Sequence, residues 1–178
     1  MRTLLLPLLV FLVATWANAT DLHQKYVGQS GCAAEFKSVQ NRSGIRLDQK
    51  SRAFLQQYQF KSGTILVIVQ HGGHSDACGT IRDVIESKPT NTSFVWDCLD
   101  RTNPGAVVVG TWPSEHPSVS GRALEAWGID LKQLRFHRLN VPVDCYAKSY
   151  AGPDNGDDLT KLARRRAKEQ KRKGSSAQ

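Results

Sequence analysis

The chain has 178 residues, with 24 Lys and Arg against 16 Asp and Glu and a formal net charge of +8. That length suits one domain with a full core rather than two. The charge excludes less than its size suggests: residues 159–178 hold eight Lys and Arg against one Glu, while residues 20–158 are balanced, so the basic pI belongs to the C-terminal end and says nothing about the face of the body.

In chain order, the first residues read as an address. Arg2 supplies a positive start, residues 4–13 are apolar apart from Pro7, and Ala17-Asn18-Ala19 forms an A-x-A cleavage pattern. The apolar run is too short to span a bilayer. Cleavage after Ala19 predicts a soluble mature chain, periplasmic or secreted, beginning at Thr20. No other stretch approaches a transmembrane length. The expected organisation is a signal peptide at 1–19, a single domain at 20–148, and a linker with a basic tail at 149–178.

Asp48 is placed to cap a helix through Gln59, with Phe54, Leu55 and Tyr58 on one face. A short helical turn fits residues 33–39. Residues 65–69 are continuously apolar and lack alternation, which predicts a strand buried on both faces, as at the centre of a parallel sheet. Ser75 or Asp76 then caps a helix to Ser87, with Cys78, Ile81, Val84 and Ile85 on its inward stripe. Residues 94–99 read as a second strand with Phe94, Trp96 and Cys98 on one face. The helix between the two makes a strand-helix-strand unit. After a turn at 101–105, residues 106–111 form a third strand whose direction stays open. Residues 112–117 are a proline-bearing loop. A helix from Ser118 or Ser120 places Val119, Ala123, Leu124 and Trp127 on one side and stops at Gly128. Residues 134–141, with Arg135, His137 and Arg138, read as an edge strand. A Gly-, Pro-, Asn- and Asp-rich linker at 149–158 leads to a basic helix capped near Asp157. The fold expected from these elements is α/β: a small, mostly parallel sheet of about four strands flanked by helices, disulfide-stabilised, with a basic C-terminal tail.

Four cysteines behind an export signal, Cys32, Cys78, Cys98 and Cys145, predict two disulfides. The inward stripe favours Cys78–Cys98, worth roughly 3 kcal/mol for its twenty-residue loop, and leaves Cys32–Cys145. Asn41-Arg42-Ser43 and Asn91-Thr92-Ser93 are glycosylation acceptors in a eukaryotic secretory pathway.

Chemistry, if present, belongs at His71-Gly72-Gly73-His74-Ser75-Asp76, at the carboxyl end of the expected central strand, where open α/β sheets bind ligands. The catalytic candidates are His71, His74, Asp76, Asp97 and Cys98, with His116 nearby. His74-x-Asp76 resembles part of the H-x-H-x-D-H pattern of metallo-β-lactamase-like hydrolases, but Gly72 and Ala77 stand where two further ligands belong. Ser75-Asp76-Ala77-Cys78 resembles the Cys-x-x-Cys of thioredoxin-like proteins, with Ser75 replacing the first cysteine and Pro142 placed like that fold's cis-proline. A strand ending in His71-Gly72 and another in Asp97-Cys98 resembles the order in caspase-like peptidases, although no Gly follows Cys98 at the usual offset. VIVQHGG resembles the oxyanion turn of α/β-hydrolases, but the chain has no G-x-S-x-G elbow. Each match is partial, and no metal or cofactor is called for.

Arg164, Arg165, Arg166, Lys171, Arg172 and Lys173 form the candidate binding segment. No aromatic residue interleaves them, which argues against sequence-specific nucleic acid. Such a segment attracts an anionic surface or an envelope protein through salt-sensitive contacts. The function expected is a binding or complex-assembly component of the cell envelope. The alternative is a small hydrolase or thiol protein with its site at the His71–Asp76 turn. Free thiols at Cys78 or Cys98 favour the second, and paired sulfurs the first.

Overall fold

The computed structural model describes residues 17–39, 42–61, 63–73, 76–87, 92–113, 120–146 and 158–175. The first two parts of the export signal, His74, Ser75, His116, Ser118, Val119, Asn41, Asn91 and the linker through Asp157 lie outside them. The described chain runs α1 (Ala17–Tyr26), α2 (Ala34–Lys37), β1 (Arg42–Asp48), β2 (Ala53–Phe60), β3 (Gly63–Gln70), β4 (Thr80–Ser87), β5 (Thr92–Asp100), β6 (Val108–Pro113), β7 (Ser120–Arg122), β8 (Ala126–Asp130), β9 (Arg135–Arg138), β10 (Val143–Tyr146) and α3 (Leu159–Ser175).

The strands form two sheets, a four-stranded meander β1-β2-β3-β4 and a six-stranded sheet β7-β10-β5-β6-β8-β9. Every registered strand pair is antiparallel. The expected mostly parallel α/β sheet is therefore wrong, and the chain is a mostly β protein with two packed sheets. The segment 48–59, read as a helix, is the end of β1, a turn and most of strand β2. The helix read over 76–87 is a turn followed by β4. The helix read from 118 or 120 to 127 is replaced by β7 and the start of β8. Leu124, expected inside, is 59% exposed.

The apolar run 65–69 explains how the architecture works. Leu66 and Ile68 face one way, into a core shared with Phe94, Trp96, Val109, Trp127 and Ile129 of the second sheet. Ile65, Val67 and Val69 face the other way, onto Tyr26, Phe36 and Tyr58. Burial on both faces was correctly expected. It arises because β3 is an inner strand of a sheet with a second sheet on one side and α1 and α2 on the other. Two-sided burial favours continuous apolar runs in any sheet, and helices on its faces are only one way to achieve it.

A third cluster lies on the far face of the second sheet, where Val108, Trp112, Ala126 and Val143 surround Cys98 and Cys145. The two disulfides are Cys32–Cys78 and Cys98–Cys145, so all four cysteines are paired as expected but not in the preferred Cys78–Cys98 and Cys32–Cys145 pattern. Cys98 and Cys145 are directly opposed on β5 and β10. Gly110 on the adjoining β6 leaves them room, because a Cβ there would lie 2.7 Å from the Cys145 sulfur. The third strand's direction is also resolved: β6 returns antiparallel to β5. The edge assignment holds for the shorter β9, which ends its sheet, but the segment 134–141 is not the last strand, since β10 follows it.

Candidate functional site

The loop after β3 is built around Asp76. Its carboxylate accepts hydrogen bonds from the Gly72 amide at 2.8 Å and the Gly79 amide at 2.7 Å. The Gly72 amide, then those of Gly79 and Cys78, hold the Asp76 carboxyl below the usual carboxylate range. His71 places Nδ1 2.6 Å from the Asp76 carbonyl oxygen, and its ring meets Phe54 edge-on at 5.1 Å between centroids. Gly79 takes a φ of 64°, and a Cβ there would lie 2.6 Å from Val69 Cγ1. Glycine is required at that point. Both Asp76 oxygens thus close a strand-to-strand turn, and the Cys78 sulfur pins it to Cys32.

Asp97 and Cys98 sit on β5 with partners of their own. Cys98 is bonded to Cys145, so neither Cys78 nor Cys98 presents a thiolate in this form. Asp97 is 5% exposed and pairs with the Arg166 guanidinium of α3. Burial pushes its carboxyl up to about 6, against the opposing charge and hydrogen bond of Arg166. Among the five catalytic candidates, His71 and Asp76 meet within one turn, Asp97 and Cys98 are neighbours on the other sheet, and His74 falls outside the described residues. Among the described residues, no three of His, Cys, Asp and Glu gather at metal-binding spacing.

The C-terminal helix is the more informative element. Leu159 is buried, and Leu162 and Ala163 pack against the inter-sheet core. Arg166 follows on the same face, one turn on, and its guanidinium carbon lies 4.4 Å from the centre of the Tyr146 ring. The seam between α3 and β5 leaves only about 10 Å³, no more than one water. Asp158 starts the helix: its Oδ1 accepts from the Thr160 hydroxyl at 2.6 Å and the Lys161 amide at 2.9 Å, and its Oδ2 from the Gln49 amide at 3.3 Å. Burial alone would raise its carboxyl, but these three hydrogen bonds together keep it lowered.

This arrangement divides the expected binding segment. Arg166 turns inward as a clip. Lys161, Arg164, Arg165, Lys168, Lys171 and Arg172 are exposed, and positions 161, 164, 165, 168 and 172 fall on the side away from the body. Lys173 lies in α3, with its side chain outside the described residues. Tyr146 had no distinctive sequence signal, whereas Asp158, an Asp directly before the helical run, had the signal of a helix cap. Asp158 was one residue from the expected cap, and Tyr146 follows Cys145 at the end of a strand that no periodicity marked.

One further cleft, of about 350 Å³, is bordered by Asp100, Asp130, Lys132 and His137. Its carboxylates are engaged in local turns, Asp100 with Thr102 and Asp130 with the Lys132 and Gln133 amides. Compared with family models, curated proteins and solved structures, the chain matches none. No helix among the described residues is long and apolar enough to cross a membrane.

Proposed function

We propose that this chain is an exported binding or complex-assembly component of the cell envelope, docking on an anionic partner through the outer face of α3. The observation that carries this reading is the orientation of that helix. Its apolar side and Arg166 are fixed against the body, so Arg164, Arg165 and Lys168 are held outward as a rigid cationic row rather than as a loose tail. Preorganising a charged surface reduces the ordering cost of binding. Two disulfides suit an oxidising compartment. Removal of residues 1–19 would leave Leu22 and Tyr26, through which α1 packs on β3 and β4, in place.

The test is fractionation of cells producing the full chain with its leader. Wild type is expected in the envelope fraction at low salt and in the soluble fraction after a wash in about 1 M salt, where the Debye length falls to about 3 Å. A variant carrying Arg164→Glu, Arg165→Glu and Lys168→Glu is expected to be soluble at both. Retention of the variant, or of wild type after the wash, overturns the reading.

A further inference from the structure

A second basic feature lies away from α3, between the end of α1, the start of β4 and the turn from β8 into β9. It is an open cleft of about 450 Å³ bordered by Val27, Gly28, Thr80, Arg82, Gln133 and Arg135, together with Ile81. Among the described residues, no carboxylate borders it. Arg82 and Arg135 are exposed, and neither forms an ion pair or a side-chain hydrogen bond with another described residue.

The fold brings these two arginines together by specific means. On β4, Asp83 pairs with Ile68 and Ile81 with Val69, which leaves Arg82 as the extra residue of a β-bulge. Bulges redirect a side chain out of the regular alternation. The next residue, Asp83, is 7% exposed and accepts a 2.7 Å hydrogen bond from the Phe136 amide. That bond ties β4 to β9, so Arg82 and Arg135 each immediately precede a member of a part-buried, bonded pair. The turn carrying Gln133 is also fixed, because the Asp130 carboxylate accepts from the Lys132 and Gln133 amides. Leu134 holds a φ of 54° with its side chain buried in the inter-sheet core, a backbone region that bulky residues enter only when their surroundings impose it.

Two like charges held beside one cleft call for a complement. The carboxyl end of α1 approaches through Val27 and Gly28, but a helix end supplies only about half a negative charge, less than one arginine's worth. A single carboxylate is saturated by one guanidinium fork and carries half the charge required. A phosphate dianion offers oxygens in several directions and matches two guanidiniums arriving from different strands, with the Thr80 hydroxyl and the Gln133 amide as further donors. A volume of about 450 Å³ also exceeds a bare phosphate and falls within the usual size of small-ligand sites.

We propose that this cleft binds a phosphate monoester through Arg82 and Arg135. The bearer is either a small soluble ester or a lipid headgroup, and the experiment separates them. Glycerol phosphate is titrated calorimetrically into the full chain, with succinate as the carboxylate control. Phosphatidylcholine vesicles with and without phosphatidic acid form the second arm, run on the chain with Arg164, Arg165 and Lys168 changed to glutamine, which weakens the helix's attraction without making it repel an anionic surface. Saturable binding of glycerol phosphate, or of the phosphatidic acid vesicles alone, is expected. The affinity should weaken at least about tenfold in Arg82→Ala and in Arg135→Ala. Arg82→Lys keeps the charge but loses the fork and should also weaken binding; circular dichroism checks that each variant is folded. Reversing the α3 charges should leave glycerol phosphate binding unchanged, so this site and the α3 reading stand or fall separately. The proposal is overturned by the absence of saturable binding in both arms, by full affinity in the folded double alanine variant, or by succinate binding as tightly as glycerol phosphate.

Discussion

At Asp97 two opposing effects can be ranked. Burial makes the charged carboxylate costly, and Arg166 offsets that cost only in part, so the carboxyl rises to about 6 from an ordinary value of 3.8. The folded chain then retains a proton that the unfolded chain has released between about pH 4 and pH 6. The contribution of this group to stability therefore grows as the pH falls through that window, opposite to a surface carboxylate in a strong salt bridge. Asp97→Asn removes the titration while keeping the shape. Wild type should gain on the order of 2–3 kcal/mol relative to Asp97→Asn between pH 7 and pH 4. Urea denaturation of both proteins at several pH values reads the difference directly. A constant difference, or wild type losing ground as the pH falls, would show that Asp97 is not buried against α3 as described.

At the scale of elements, the strongest strand was legible and its neighbours were not, for a physical reason. Residues 65–69 are too uniformly apolar to be anything but buried. In β4, however, the bulge at Arg82 places Ile81 and Val84 on the same face, against α1 and α2. Residues three apart sharing a face is the helical signature, and a bulge reproduces it within a strand. Another irregularity, between Val95 and Cys98 of β5, moves Cys98 to the far face with Val95, although strict alternation groups it with Phe94 and Trp96. Sequence periodicity reads regular elements, and these two strands depart from regularity where side chains are redirected. The abundance of Thr, Ile and Val in 80–85 was the signal that favoured a strand. The start of α3 was nearly legible, and it carries a prediction of its own. Asp158→Ala removes the cap and the bond to Gln49, and should cost about 1–2 kcal/mol at neutral pH. Hydrogen exchange should show the loss first in α3, with β3 amides changing only through global stability. Because the folded carboxyl sits below its ordinary value, its contribution is present above that ordinary value and is lost as the pH falls through the lower folded one. The variant and wild type should therefore converge in strong acid. Equal protection of α3 in both proteins at neutral pH would refute the cap.

For the whole molecule, the disulfide pattern tests the topology more sharply than any single contact. Cys32–Cys78 fastens the segment before α2 to the β3–β4 turn, and Cys98–Cys145 fastens β5 to a strand that returns from much later in the chain. Four cysteines allow three pairings, and only the strand order selects among them. The bridge favoured by a helical reading, Cys78–Cys98, would require a crossover helix that the chain does not form. With sequence separations of 46 and 47, each bridge restricts the unfolded chain by about 4 kcal/mol in the loop-entropy account. Cys32→Ser with Cys78→Ser, and Cys98→Ser with Cys145→Ser, should each lower stability by about that amount. Mass spectrometry of a non-reduced tryptic digest checks the pairing itself, since cleavage after Arg82 separates Cys78 from Cys98. Alkylation without reduction should add no mass to the intact protein, and the digest should yield peptides joining Cys32 to Cys78 and Cys98 to Cys145. A peptide joining Cys78 to Cys98 would break more than a bridge. Cys98 could not then pair across to Cys145, β10 would lose its place beside β5, and the order of the six-stranded sheet would have to be redrawn.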